Sequence, residues 1–215
     1  MRTARLLAAL MQRSSLPQRV IYISTTGVYG DRGGAWVSES SRRAPQSDRA
    51  RRRVDAEDRL RRFGKRNRVR VGILRAPGIY AADRLPRERL QRGEPVLRDD
   101  DDVHTNHIHA DDLARLACLA IFRARPGRVY NAVDDTHMKM AEYFVFAADA
   151  LGLPRPPRLS RDEVAARLSP MALSFMSESR RIGNERIRRE LRVRLKYPTV
   201  REGFAAALDN SGGRV

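Results

Sequence analysis

A run of branched apolar residues, Val20–Ser24 (VIYIS), follows a stretch with helical spacing, and the same order repeats about fifty positions later; this repetition most restricts the fold. The run is short, β-branched and nearly continuous rather than alternating, which is the pattern of a strand buried on both faces of a parallel sheet. Before it, Arg2–Gln12 carries Leu6, Leu7, Leu10 and Met11 on one helical stripe, and Ser14, Ser15 and Pro17 break that helix. The second unit pairs a helix over Ser47–Phe63, capped by Ser47 or Asp48 and expected to end at Gly64, with a strand over Val69–Leu74 (VRVGIL) closed by a Pro77-Gly78 turn. Helix, strand, helix, strand is the rhythm of a doubly wound α/β sheet.

Beyond Tyr80 the rhythm loosens. The spacing predicts a short helix over Leu85–Arg92, an acidic loop at Asp99–Asp102, and a strand over Thr105–His109 feeding a helix that Asp111 caps and that runs to Arg123. A short strand at Val129–Asn131, a helix over Lys139–Leu151 and a linker at Pro154–Pro157 follow, then helices near Arg161–Leu168, Asn184–Leu191 and Thr199–Leu208. The expected architecture is a partial doubly wound, Rossmann-type parallel sheet over residues 1–80. A small, mostly helical substrate lobe spans 81–210, with 104–131 returning to the main sheet.

A chain of 215 residues can bury one core and a satellite lobe. With 41% apolar and 32% charged residues it is too apolar for disorder and too polar for a membrane protein. No apolar run approaches the roughly 20 residues of a membrane helix. Arginines interrupt Met1–Met11, which also lacks a small-residue cleavage site, so neither signal peptide nor anchor is expected. The single Cys118 cannot form an internal disulfide and fits a reducing cytoplasm. A net charge of +17 invites a nucleic-acid reading, but lysine supplies only Lys65, Lys139 and Lys196 of the 43 basic residues. Between Arg49 and Arg68 the arginines lie on nearly every side of the helix, interleaved with acids, where a duplex binder concentrates charge on one face. A basic solvated surface is the simpler expectation.

Three further segments carry a family resemblance. Val20–Gly30 (VIYISTTGVYG), Leu74–Tyr80 (LRAPGIY) and Asn106–Ala114 (NHIHADDLA) resemble, in order and spacing, the strand-and-turn, Arg-x-Pro-x-x-Tyr and strand-to-helix segments of extended short-chain dehydrogenases/reductases, the nucleotide-sugar epimerases and dehydratases. Tyr130–Leu151 fits as a fourth segment, and the chain looks closest to the atypical branch of that family. The resemblance implies that the family's first strand, its glycine loop and further βα units, which precede the segment matched from Met1, are missing from this chain. The Gly-x-x-Gly-x-x-Gly match at Gly27, Gly30 and Gly33 comes after a strand but runs into GAWVSESSRRAP, which has no helical period. It therefore offers no helix N-terminus to a pyrophosphate.

The resemblance also implies a site. NAD or NADP would lie at the carboxyl ends of the strands, with Ser24, Thr25, Ala76 and Pro77 at the nicotinamide end and a small-molecule substrate against Tyr80, Asn106 and His107. Thr25 takes the place of the hydroxyl that bonds the reacting oxygen; equally, it could serve as a turn hydroxyl. Aligned on Glu57, Arg49 and Arg53 stand where the family has its Tyr-x-x-x-Lys pair. Arginine stays protonated, so Arg49 cannot shuttle a proton, whereas Arg53 could hold ribose hydroxyls or a phosphate. Tyr29, Tyr80 and His107 are the groups left to substitute for the tyrosine. His104, His107 and His109 beside Asp99–Asp102 raise a metal site, but the junction they occupy binds no metal in the family, and none is expected. The resemblance thus implies an oxidoreductase or epimerase acting on a sugar-nucleotide or similar carbonyl compound, impaired in this chain, or a non-catalytic NAD(P)-binding or regulatory protein. Apolar helix faces leave a homo-oligomer open.

Overall fold

The computed structural model describes residues 2–212. In chain order the first half runs α1 (Arg2–Met11), β1 (Arg19–Thr25), a single 3-10 turn (Thr26–Tyr29), β2 (Trp36–Val37), α2 (Asp48–Asn67), β3 (Arg70–Ala76) and β4 (Gly78–Tyr80). After α3 (Arg87–Gln91) and β5 (Val96–Leu97) come β6 (His104–Thr105), β7 (His107–His109), α4 (Ala110–Arg123) and β8 (Val129–Asn131). The remainder is β9 (Met138–Lys139), α5 (Met140–Leu151), β10 (Arg158–Leu159), α6 (Arg161–Ala165), α7 (Pro170–Met176), β11 (Arg181–Ile182), α8 (Glu185–Leu191) and α9 (Val200–Gly212).

The central sheet is parallel, in the order β1, β3, β8. Arg19 opposes Arg70 and Thr25 opposes Ala76, so β1 and β3 end level with one another. Ile73–Arg75 of β3 pairs with all of β8. Both faces are covered: α1 and α2 enclose Leu60, Phe63, Val71 and Ile73 on one side, and α4 and α8 enclose Leu74, Leu116, Tyr130 and Ile187 on the other. This is the α/β doubly wound arrangement that the alternating pattern predicts. Past the sheet, β4 pairs in parallel with β7, and short ladders join β6 to β9, β5 to β10 and β2 to β11. A second apolar cluster around Tyr80, Phe144, Ala147 and Phe204 holds α5 and α9 together.

Three boundaries depart from the pattern in the sequence. Helix α2 does not stop at Gly64 but continues to Asn67, where Arg68 closes it in the left-handed conformation. Gly64 serves close packing instead: a Cβ there would lie 2.7 Å from both Val69 O and Val71 Cγ2. Pro77-Gly78 is no closing turn, since the chain resumes at once as β4, three residues that leave the β3 ladder and pair with β7. The expected strand over Thr105–His109 is two strands broken at Asn106, and its helix is capped by His109, whose Nδ1 accepts the Asp111 amide at 3.1 Å. Asp111 is already helical there, placed in the first turn where a carboxylate complements the helix dipole. Ser47, by contrast, caps α2 through its hydroxyl, which accepts the Ala50 amide.

Candidate functional site

A cleft of about 620 Å³ opens at the carboxyl ends of β1 and β3 and extends along β4, β6, β7 and α5. Ser24, Thr25, Arg49, Arg53, Ala76, Pro77, Tyr80, Asn106 and His107 all line it, although they come from separate stretches of chain. The level ends of β1 and β3 set Ser24 and Thr25 beside Arg75 and Ala76. The capped start of α2 carries Arg49 and Arg53 along the rim, four residues apart and therefore on one helical face.

One buried pair fixes that helix against the sheet. Glu57, fully buried, accepts two bonds from Arg75, from Nε at 3.0 Å and from Nη2 at 2.7 Å. Arg75 lies over the Tyr29 ring at 4.8 Å, and the Tyr29 hydroxyl donates to Asn131 Oδ1 at 2.7 Å. Burial pushes the Tyr29 phenol up, and both that bond and the ring packing commit it to the scaffold.

The remaining side chains differ in how much of their bonding capacity is left. Thr25 Oγ1 accepts the Gly27 amide at 3.2 Å, the turn-hydroxyl role, which leaves its O–H as a donor. Ser24, though buried, has no partner for its hydroxyl. Tyr80 donates to the Thr199 carbonyl at 3.1 Å, and burial pushes its phenol far up. Asn106 spends both ends of its amide on the strand leading into β11, donating to Arg180 O at 2.9 Å and accepting from Ile182 N at 3.1 Å. His107 stacks on Tyr143 with ring centres 4.3 Å apart. Its Nδ1 is buried without a partner, and burial drives the imidazole's pKa down to about 3. Tyr29 and Tyr80 spend their hydroxyls on protein acceptors, whereas His107 keeps one ring nitrogen without a partner, on a ring that burial holds neutral.

Among the described residues, no three His, Cys, Asp or Glu side chains converge as metal ligands. His109 packs its ring against Tyr197 at 4.0 Å and Tyr80 at 5.2 Å. The glycine match folds as the 3-10 turn and the loop leading to β2: Gly30 has φ +66° and packs so tightly that a Cβ would lie 2.0 Å from Ala44 O. No helix N-terminus opens there to an anion.

A family model described as the NAD dependent epimerase/dehydratase family matches residues 1–132. The chain belongs to that family. Over 138 residues it is 29% identical to protein YeeZ of Escherichia coli strain K12, covering 64% of this chain and 48% of that protein. It thus spans about half the length of the curated relatives it matches. A functionally unknown conserved protein from Silicibacter pomeroyi superposes with a TM-score of 0.81 at 36% identity, covering 96% of this chain and 70% of that one. The dTDP-glucose 4,6-dehydratase of Bacillus anthracis strain Ames, solved in complex with NAD, gives 0.76 at 18% identity over 99% of this chain and 67% of its own. UDP-glucose 4-epimerase of Thermotoga maritima, solved with UDP-glucose, gives 0.77 at 16% over 98% and 68%. At those identities the two enzymes share the fold with this family member.

Two features of the cleft have no signal in the sequence pattern. Tyr143 and Arg89 join its wall from α5 and α3, with Arg89 held over Phe144 at 4.0 Å. Phe175 of α7, a helix the apolar spacing does not reveal, also lines the cleft and lies under the Arg49 guanidinium at 4.7 Å.

Proposed function

We propose that the cleft receives the nicotinamide end of NAD or NADP together with a carbonyl or hydroxyl compound, a sugar-nucleotide or a molecule of similar chemistry, and that the activity is of the oxidoreductase or epimerase type. The observation that carries this reading is the convergence on one cleft of all nine residues that the family resemblance singles out. The residues fit one end of the cofactor. Ser24 and Thr25 offer hydroxyls, Ala76 and Pro77 a small apolar floor, and Arg53 donors for ribose oxygens. A pyrophosphate finds no glycine-lined helix N-terminus among the described residues. When bound, the cofactor would supply hydride exchange; the chain's own residues position the reacting oxygen through Thr25 and His107.

Arg49 favours a second reading, a non-catalytic NAD(P)-binding or regulatory protein of the same fold. A guanidinium cannot give and take the proton that alcohol–carbonyl interconversion requires, and His107 is neutral with a pKa near 3. Saturation-transfer NMR on the full chain with NADPH tests the shared part of both readings. Saturation is expected on the nicotinamide protons and not on the adenine protons, and weakened in Thr25→Val. Saturation centred on adenine, or none anywhere, would overturn the placement. Turnover of NADPH absorbance with a carbonyl substrate then separates enzyme from binder.

A further inference from the structure

Five arginines line the cleft: Arg49, Arg53, Arg84, Arg89 and Arg180. Three of them have acidic partners. Arg84 faces Asp83 at 3.9 Å, Arg89 faces Glu94 at 3.4 Å, and Arg180 holds Glu178 at 2.7 Å. Elsewhere on α2, Arg51 pairs with Asp48 and Arg59 with Asp55. Among the described residues, no carboxylate forms an ion pair with Arg49 or Arg53.

What these two side chains touch is aromatic. Arg49 lies over Phe175, and Arg53 lies 5.7 Å from the Tyr22 ring centre and donates from Nη1 to the Tyr22 hydroxyl at 2.8 Å. Stacking occupies a guanidinium's face and leaves its edge donors free, and the hydroxyl uses one donor of the five that Arg53 has. Two oriented cations, one helical turn apart, thus face the cleft with most of their donors unspent. Two side chains of the same lining carry an unspent polar atom: Ser24 and His107 both line the cleft, both residues are more than nine-tenths buried, and neither Ser24 Oγ nor His107 Nδ1 has a hydrogen-bond partner.

We propose that Arg49 and Arg53 form a phosphoryl-binding site at the reacting end of the cleft, and that the phosphoryl group belongs to the substrate. Two cations match a dianion, and the planar fork of each guanidinium suits tetrahedral oxygens presented edge-on. Ser24 and His107 then meet an uncharged oxygen of the same molecule. The position vacated by a proton-transferring pair has become a charge-recognition pair, so the preferred ligand is a small phosphorylated compound whose phosphoryl group, not its carbonyl, lies against α2. This rests on the cleft being the ligand site, as the proposed function has it, but not on nicotinamide binding.

The test is calorimetric titration of the full chain with inorganic phosphate at constant ionic strength, alongside Arg49→Gln, Arg53→Gln and Arg52→Gln. Arg52 is exposed on the same helix and outside the cleft lining, so its variant removes equal charge elsewhere. Saturable binding, weakened at least about tenfold by either cleft variant and unchanged by Arg52→Gln, is expected. Non-saturable uptake, or equal weakening by all three, would overturn the site. Thermal melts establish that the variants fold. Nicotinamide riboside, which carries no phosphoryl group, added to the phosphate complex separates the sources: binding beside phosphate supports a substrate-borne group, and displacement of phosphate overturns that assignment. Phosphate binding lost while nicotinamide saturation persists refutes this inference alone; the converse refutes the cofactor placement alone.

Discussion

Replacing Asp134 by Asn should stabilise the protein at pH 8 and leave it almost unchanged at pH 4. Asp134 follows β8 and is only 3% exposed. Its amide donates to His107 O at 2.8 Å, its Oδ1 accepts the Thr136 amide at 2.9 Å, and its Oδ2 is buried with no partner. Burial is the largest influence on its carboxyl; the Thr136 bonds offset part of it, Asp135 and Asp112 add to it, and the pKa is pushed up to about 7 from 3.8. Tyr80 and Tyr143 face the same carboxyl and remain neutral. Below pH 3.8 folded and unfolded chains are both protonated, and the full stability is present. Between 3.8 and about 7 the unfolded chain ionises while the folded one does not, so stability falls with rising pH, and above about 7 the loss is complete. A shift of about 3 units at about 1.4 kcal/mol each makes that loss about 4 kcal/mol. Asparagine keeps the acceptor for Thr136 and the shape while removing the titration. His107 acts in the opposite sense, losing stability as pH falls from 6.5 towards 3, but it is common to both proteins and cancels in the difference. Urea denaturation at several pH values should show the variant's advantage growing from near zero at pH 4 to about 4 kcal/mol at pH 8, or about 10 °C in melting temperature. A difference that stays flat between pH 5 and 8, or a variant less stable at pH 8, would refute the reasoning.

Breaking the buried pair by Glu57→Gln leaves Arg75 charged and buried and should cost about 3–5 kcal/mol in urea denaturation; a loss under about 1 kcal/mol would show that the guanidinium finds other partners. Gly30→Ala must place a Cβ against Ala44 O in a left-handed conformation and should cost at least about 2 kcal/mol, read from the same measurement. The His107 ring should show no titration between pH 5 and 8 in nitrogen-15 NMR; an inflection near 6.5 would place the ring in contact with water.

The sheet was legible because its strands announce themselves locally. VIYIS and VRVGIL are branched runs flanked by breaks, and Val129–Asn131 is found at its expected position. Strands such as Trp36–Val37 and Arg181–Ile182 are two residues long and exist because they pair with one another across the chain, so no local period marks them. Helix α7 escaped for a different reason: in seven residues it buries Met176 and partly buries Ala172 and Leu173 but also exposes Met171 and Phe175, so apolar residues lie on both faces and no period stands out. The site residues could be gathered from the family resemblance, but how they are bonded could not. Tyr80 finds its acceptor 119 positions away and Asn106 its donor 76 positions away. Asp134 sits among carboxylates and phenols brought together by folding, and nothing in its local sequence, AVDD, marks it out.

The Glu57–Arg75 pair has a consequence for how chemistry can change on this frame. It bolts α2 to β3 one turn below Arg53 and two below Arg49, in the same strand that ends at Ala76. Sliding or rotating the helix would break a desolvated ion pair, so positions 49 and 53 keep their height and bearing whatever side chains they carry. The two rim positions behave as interchangeable tools in a locked holder: what the cleft recognises can be rewritten there without refitting the fold that presents it.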